Sequence, residues 1–403
     1  MKKLLVLAIV LRLLVAAFLF HPDIKTFNFQ ASFLKKGVIN IYSYLVDNNK
    51  TLTLKDGFVY FPLTYLTLGS YQWLATPILG SGFDSWLANA SSSSMVKDPN
   101  IFGYLIILKL PYLILDISIA FLLKKFFDDK KVGEKAFTPW LFNPFTIILI
   151  YAYSNVDIFV VLLTTAAFLL IRKSKLILAS VLLGLAAGFK LYPFLFIPFI
   201  FLNARSAKEK ILTVLIPTII LIFIVIPFWS QAFIESALVS GLTTRIFNPG
   251  FAVGFGESMI VGILCMSILF FYAWTTDRKI NIFNYALITL LVIFSFSHFH
   301  IAWLLWVAPF LVVLVCKKPA FSVPIFLLAL LSFMIPMLYD DRSMTISLFR
   351  IYSTWYDLIP TPFALVQKVY DPYNLQSILH SLLAGGSLVL GSKLLLDREE
   401  EKV

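Results

Sequence analysis

Repeated apolar runs of roughly 15–22 residues constrain this chain more than any motif in it. Each run is about as long as a helix needs to be to cross a bilayer. Period-two alternation is missing from them, so helices, whose backbone groups pair internally, are the expected solution in lipid. Composition agrees: 60% of the 403 residues are hydrophobic and 14% are charged, against about a half and a quarter in soluble domains. The expected fold is therefore an all-α polytopic membrane protein of about twelve helices, one domain over residues 1–403. Spans are expected near 4–20, 102–123, 137–153, 156–172, 176–189, 191–203, 211–229, 258–274, 280–297, 301–316, 320–338 and 375–396. The pair between 176 and 203 is short, and a single broken or re-entrant unit around Lys190 and Pro193 is the alternative for it.

Charge sets the orientation. Apolar segment 57–80 contains Pro62, Gly69 and Pro77 and is assigned to helices lying in the interface, inside a first outer loop at 21–101. Counting it as a span would invert everything after it. With it excluded, 20 of the 33 basic residues fall on one side, against 10 on the other and 3 (Arg12, Lys109 and Lys190) within spans. The first group includes Lys124, Lys125, Lys130, Lys131, Arg172, Lys173, Arg278, Lys279, Arg398 and Lys402. Positive clusters mark cytoplasmic loops, so both ends of the chain are expected inside. The net charge of +11 is then a topology signal, and no nucleic-acid partner is expected. Arg12 interrupts the first apolar stretch and no small-residue cleavage site follows, so that stretch is expected to be a retained span. Two cysteines, Cys265 and Cys316, lie in apolar runs and make neither a disulfide framework nor a metal cluster.

The outer stretches at 21–101, 230–257 and 339–374 are long and rich in aromatics, Pro and Gly, as loops that carry function usually are. Ala88 to Met95 reads as a mobile connector within the first. Asp23, just past the first span in His21-Pro22-Asp23, is placed half against apolar wall, where burial tunes its basicity; an ordinary interfacial acid is the plainer alternative. Tyr60, in Val59-Tyr60-Phe61-Pro62, is either a site residue or an interfacial anchor. Lys109 and Asp116 stand seven apart on one helix face and should point into the bundle, for a structural ion pair or for a substrate. Phe142-Asn143-Pro144 opens a span and Asn155-Val156-Asp157 lies at its outer end. Lys190 follows a Gly-Ala run that permits close helix approach, and snorkelling is its plainer role. His298 and His300, at an outer helix end, would point about 200° apart on a helix, which suits hydrogen bonding better than a shared metal.

Taken in chain order, these elements resemble the membrane glycosyltransferases of superfamily C (GT-C). They are most similar to polyprenol-phosphate-mannose-dependent mannosyltransferases and, more distantly, to GPI mannosyltransferase I. The likeness covers roughly residues 1–310; the helices of 311–403 agree only in topology. It implies a GT-C-like bundle that transfers a sugar, most often mannose, with inversion, from a polyprenyl- or dolichyl-phosphate donor to a glycan, lipid or protein acceptor on the non-cytoplasmic side. The membrane would be the cell membrane or, in a eukaryote, the endoplasmic reticulum. Asp23 would be the general base, with Arg12, Tyr60, Lys109, Asp157, Lys190, Arg245, His298 and His300 binding substrate. Cations such as Lys190 and Arg245, with His300, would stabilise the leaving phosphate. No cofactor is implied. Relatives of the GPI enzyme carry Asp-x-Asp in the first loop where this chain has Asp23-Ile24-Lys25, a departure that speaks against a metal requirement and against close kinship with that branch, without excluding a divalent metal.

A transporter or lipid flippase is the competing reading, with Lys109, Asp116 and Lys190 lining a pathway. The long aromatic outer loops and the lack of a visible inverted repeat weigh against it. A scaffold without activity has no use for charges that are costly to bury.

Overall fold

The computed structural model describes residues 2–89, 98–240, 244–276 and 280–396. Most of the Ala88–Met95 connector, and Arg278, Lys279, Arg398 and Lys402 of the positive clusters, lie outside the described residues. The chain is nearly all-α. Among the described residues, four helices are long and apolar enough to cross a membrane: Ile101–Lys125, Ala207–Phe228, Pro319–Met337 and Pro372–Leu396. Shorter apolar helices include Ile158–Arg172, Leu176–Ala187, Tyr192–Asn203, Val261–Thr275, Ile282–Phe296 and Ile301–Lys317. Every expected span overlaps a helical segment, but length and composition do not by themselves establish a count of about twelve. Large apolar side chains such as Phe223, Val323 and Phe271 stand exposed on these helices. That is tolerable only where lipid covers them.

The first helix, α1 (Lys2–Phe18), breaks before α2 (Pro22–Ala31), which leaves it at 82°. The break follows from the sequence. Pro22 occupies the first turn of α2, where a missing N–H costs nothing, and His21 caps it by accepting the Asp23 backbone N–H on Nδ1 at 3.2 Å. The described residues of the first loop also include the α-helices α3 (Ile41–Asp47), α4 (Pro62–Leu79) and α5 (Gly82–Ala88).

The next helix, α6 (Ile101–Lys125), is joined to α1 by buried charge. Asp116 accepts Arg12 Nε at 2.5 Å, Trp140 Nε1 at 2.7 Å and the Tyr151 hydroxyl at 2.9 Å. Lys109 Nζ donates to the carbonyls of Ala16 and Leu19 at the end of α1. Lys109 and Asp116 do share the buried face that their spacing implies, yet each pairs with α1 and not with the other.

Segment 176–203 consists of two short arms around a turn at 188–191 that carries Lys190. Gly188 sits in close approach there: a Cβ would come 2.7 Å from Leu63 Cδ1, so that side chain would have to shift. The contact brings the first loop onto the turn, where Phe61 N–H donates to the Phe189 carbonyl and Leu63 N–H to that of Gly188.

One region departs from the all-α expectation. Residues 250–260 form an antiparallel hairpin, β1 (Gly250–Gly254) with β2 (Glu257–Ile260), ahead of the helix Val261–Thr275. The span expected from 258 therefore starts three residues later. Gly254 and Gly256 take positive φ, at +140° and +85°, conformations that close a tight turn at little cost to glycine.

Candidate active site

Segments far apart in the chain meet beyond the end of α1. The start of α2 supplies Asp23, the turn into α4 supplies Tyr60, the link before Ile158–Arg172 supplies Asp157, the 188–191 turn supplies Lys190, and the link before Ile301–Lys317 supplies His300.

Lys190 and Asp157 form the centre. Lys190 Nζ lies 3.0 and 3.3 Å from the two Asp157 carboxylate oxygens, and Trp306 Nε1 donates to Asp157 Oδ2 at 2.7 Å. The Asp157 side chain is fully enclosed, whereas that of Lys190 keeps 23% of its surface open. Tyr60 and Trp306 each place a ring centre 4.9 Å from the ammonium, and Trp303 lies at 5.7 Å. Tyr192 and Trp303 both stack on Trp306, at 4.2 and 4.9 Å. Aromatic rings around a cation stabilise it electrostatically. The floor is locked by Asn155, whose Oδ1 accepts the Asp157 N–H at 2.9 Å and whose Nδ2 donates to the Ala302 carbonyl at 2.8 Å. Ser154 beside it takes the left-handed conformation at φ +54°.

Asp23 lies within electrostatic reach of this centre, through Asp157, Lys190 and His300. Its side chain retains 36% of its surface. Burial, opposed by His300 and reinforced by the acids Asp341, Asp56 and Asp157, raises its pKa to about 6. His300 and His21 move the other way, each down to about 4, chiefly through burial. Both imidazoles are therefore neutral at neutral pH. Each also accepts a backbone N–H on Nδ1: His21 from Asp23, and His300 from Ala302 at 3.2 Å. A nitrogen that accepts cannot carry the proton, which places it on Nε2 as a donor.

The site thus gathers Asp23, Tyr60, Asp157, Lys190 and His300, with Arg245 and His298 at its rim. Arg245 Nη1 donates to the His298 carbonyl at 3.0 Å, and the His298 ring stacks on Tyr339 at 4.4 Å. Burial and the Arg245 charge keep the His298 pKa below its ordinary value. The two histidines lie between helix ends, after Phe296 and with His300 capping Ile301–Trp303, but the backbone at Ser297 and His300 is extended, so the helical 200° offset does not apply to them. Arg12 and Lys109 do not join the cluster, because the α1–α6 joint takes up both side chains at 0% and 1% exposure. Asp341 and His21 are the neighbours of Asp23 that the sequence did not single out for the site. The adjacency of His21 to Asp23 and the acidic pair Asp340-Asp341 in the third outer stretch were the available signals.

Phe142-Asn143-Pro144 has a different setting. Asn143 Oδ1 accepts the Phe145 N–H, and all three residues line a cavity of about 470 Å³ whose other walls include Leu304, Ser332 and Ser387. That cavity is apolar and contains none of the cluster residues.

The model of the family Mannosyltransferase (PIG-M) matches residues 150–244. The matched stretch carries Asn155, Asp157 and Lys190 and stops one residue short of Arg245. No curated protein matches the chain. Together with the apolar helices, the match supports a membrane protein that transfers mannosyl groups.

Proposed function

We propose that this protein transfers mannose from a polyprenyl- or dolichyl-phosphate donor to a hydroxyl of a glycan, lipid or protein acceptor, with inversion, on the non-cytoplasmic side. One observation carries the reading: a carboxyl of raised proton affinity, Asp23, lies within electrostatic reach of a lysine held by an acid among aromatic rings. In the proposed step the ionised Asp23 accepts the proton of the acceptor hydroxyl as its oxygen attacks the anomeric carbon. The new C–O bond forms on one face while the bond to the phosphate oxygen breaks on the other, and the electron pair leaves with the lipid phosphate. Asp157 occupies part of the Lys190 ammonium, which has three donors; what remains, with His300 Nε2–H and Arg245, meets the charge that grows on the phosphate.

The acids around Asp23 outnumber the cations, which looks adverse to a phosphate. Their effect is to keep Asp23 basic, as a general base that works near neutral pH must be. The donor also brings its negative charge to the Lys190 side, where tryptophan and tyrosine rings exclude water and electrostatic contacts strengthen.

Full-length protein reconstituted in nanodiscs should consume polyprenyl-phosphate-mannose and leave nucleotide-linked mannose untouched, scored by loss of radiolabelled donor. Turnover of the nucleotide sugar alone would sink the donor assignment. Turnover of neither, with any acceptor in a panel of lipids and glycans, would return the transporter reading.

A further inference from the structure

We propose that the 250–260 hairpin is a membrane-surface anchor, lying on the leaflet at the Asp23 end with its tip and one face in lipid. It rests on the embedding of the helices in a bilayer and not on the transferase reading.

Among the described residues, the hairpin has little protein to fold against. Every residue of β1 is exposed, as is all of β2 but its last residue. Two strands alone are marginal in water, so a partner surface is called for. Its two faces differ. Phe251 pairs with Met259 on one, and Ala252 pairs with Ser258 on the other. Phe251 and Val253 are about two-thirds exposed, and Phe255 projects fully from the turn at φ +50° between two glycines. Glu257 is the one charge in the hairpin. A wide, flexible and apolar counterpart fits such a face better than a charged protein surface does.

Continuity identifies that counterpart as the bilayer. The hairpin runs straight into the helix Val261–Thr275, whose Ile263, Ile268, Phe271 and Trp274 face outward. An apolar surface that lipid covers along the helix therefore continues onto the hairpin. Depth is limited by the backbone. A two-stranded hairpin has two open edges, and unpaired N–H and C=O groups are not tolerated in hydrocarbon. The strands must lie at headgroup level with side chains dipping, as interfacial aromatics do.

The hairpin is also tied to the site. Its base closes where Val261 N–H donates to the Pro249 carbonyl, and Gly262 lies so close to Ile246 that a Cβ would come within 2.8 Å of it. Segment Thr244–Phe247, which carries Arg245, thus moves with the hairpin. Anchoring the tip fixes Arg245 at the rim of the site.

The test places an environment-sensitive fluorophore at Phe255→Cys or Ser258→Cys, with Cys265 and Cys316 changed to Ala, in the full chain reconstituted in phosphatidylcholine vesicles. Quenching by dibrominated lipid chains is compared with quenching by aqueous iodide. The label at 255 should be quenched several-fold more by bromolipid, and the label at 258 by iodide. A label at 255 reached by iodide alone overturns the proposal. One reached by neither places the tip against protein, such as a second copy, and overturns it too. Bromolipid quenching at both positions contradicts the face assignment. Should the tip variant not reconstitute, Met259→Cys reports on the same face with the same expectations.

Discussion

Asp23→Asn is expected to abolish sugar transfer while leaving donor binding and folding close to wild type. The carboxamide keeps the size of the side chain but cannot accept a proton at neutral pH. The Asp23 backbone N–H that His21 caps is untouched by the change. General-base contributions are typically about 10²–10⁴-fold in rate, well above assay noise. An interfacial acid without a role predicts nearly unchanged turnover, since surface substitutions usually shift stability by only ~0.5 kcal/mol. Wild-type-like turnover of the Asn variant would remove Asp23 from the mechanism. Asp157 and Asp56, both within electrostatic reach of Asp23, would be next to examine.

The pH dependence gives the same assignment a second, independent readout. A base must be deprotonated to act, so kcat/KM should rise with pH through about 6 and level off above it. An ordinary aspartate near 3.9 would place that limb two units lower. His300 and His21, held neutral down to about 4, add no limb between 5 and 8. Linkage has a definite sign here. Because the folded protein binds the Asp23 proton more tightly than the unfolded chain does, the ionised group opposes folding above about pH 6, and this cost disappears at low pH. The Asn variant should therefore be no less stable than wild type at pH 7.5, by thermal denaturation in matched detergent.

The helices were legible because long apolar runs and breaking prolines act locally. The ranges expected from 102, 211, 320 and 375 correspond to the four long helices. The hairpin was not legible, since two strands of five and four residues carry little periodicity and directly adjoin an apolar helix. For the site, chain order and residue type suggested which side chains to gather, but partners were decided by tertiary packing. The Trp306–Asp157 hydrogen bond joins residues 149 apart, and no local pattern announces it. The seven-residue spacing of Lys109 and Asp116 fixed their common face and could say nothing of Arg12, which takes Asp116 from another helix. Arg12 shows the limit of a family likeness: residue type and position agreed with a substrate-binding role, while the side chain lies in a closed joint.

That joint yields the largest expected loss of stability. Replacing Asp116 by Ala would leave the Arg12 guanidinium buried without its counter-charge and strip the acceptor from Tyr151, while Trp140 keeps only the backbone carbonyl of residue 116 at 3.2 Å. Breaking a buried pair from one side costs about 3–5 kcal/mol, because desolvation of the remaining charge is no longer offset. Arg12 would keep only the Leu141 carbonyl at 2.7 Å and that of Ala8 at 3.2 Å. The double variant Arg12→Met with Asp116→Leu removes both charges and should recover much of the loss, as apolar replacements of whole pairs often do. Recovery should fall short of complete, since the Tyr151 hydroxyl would be an orphaned buried donor, which costs about 1–3 kcal/mol. Detergent-matched thermal unfolding measures both effects, and a wild-type melting temperature for Asp116→Ala would show that the joint does not hold the helices together. Activity separates structure from substrate binding. If Arg12 only joins α1 to α6, the double variant transfers mannose at near wild-type kcat and KM per folded molecule. A folded double variant with a KM for the donor raised tenfold or more, roughly 1.4 kcal/mol, would restore Arg12 to the binding site.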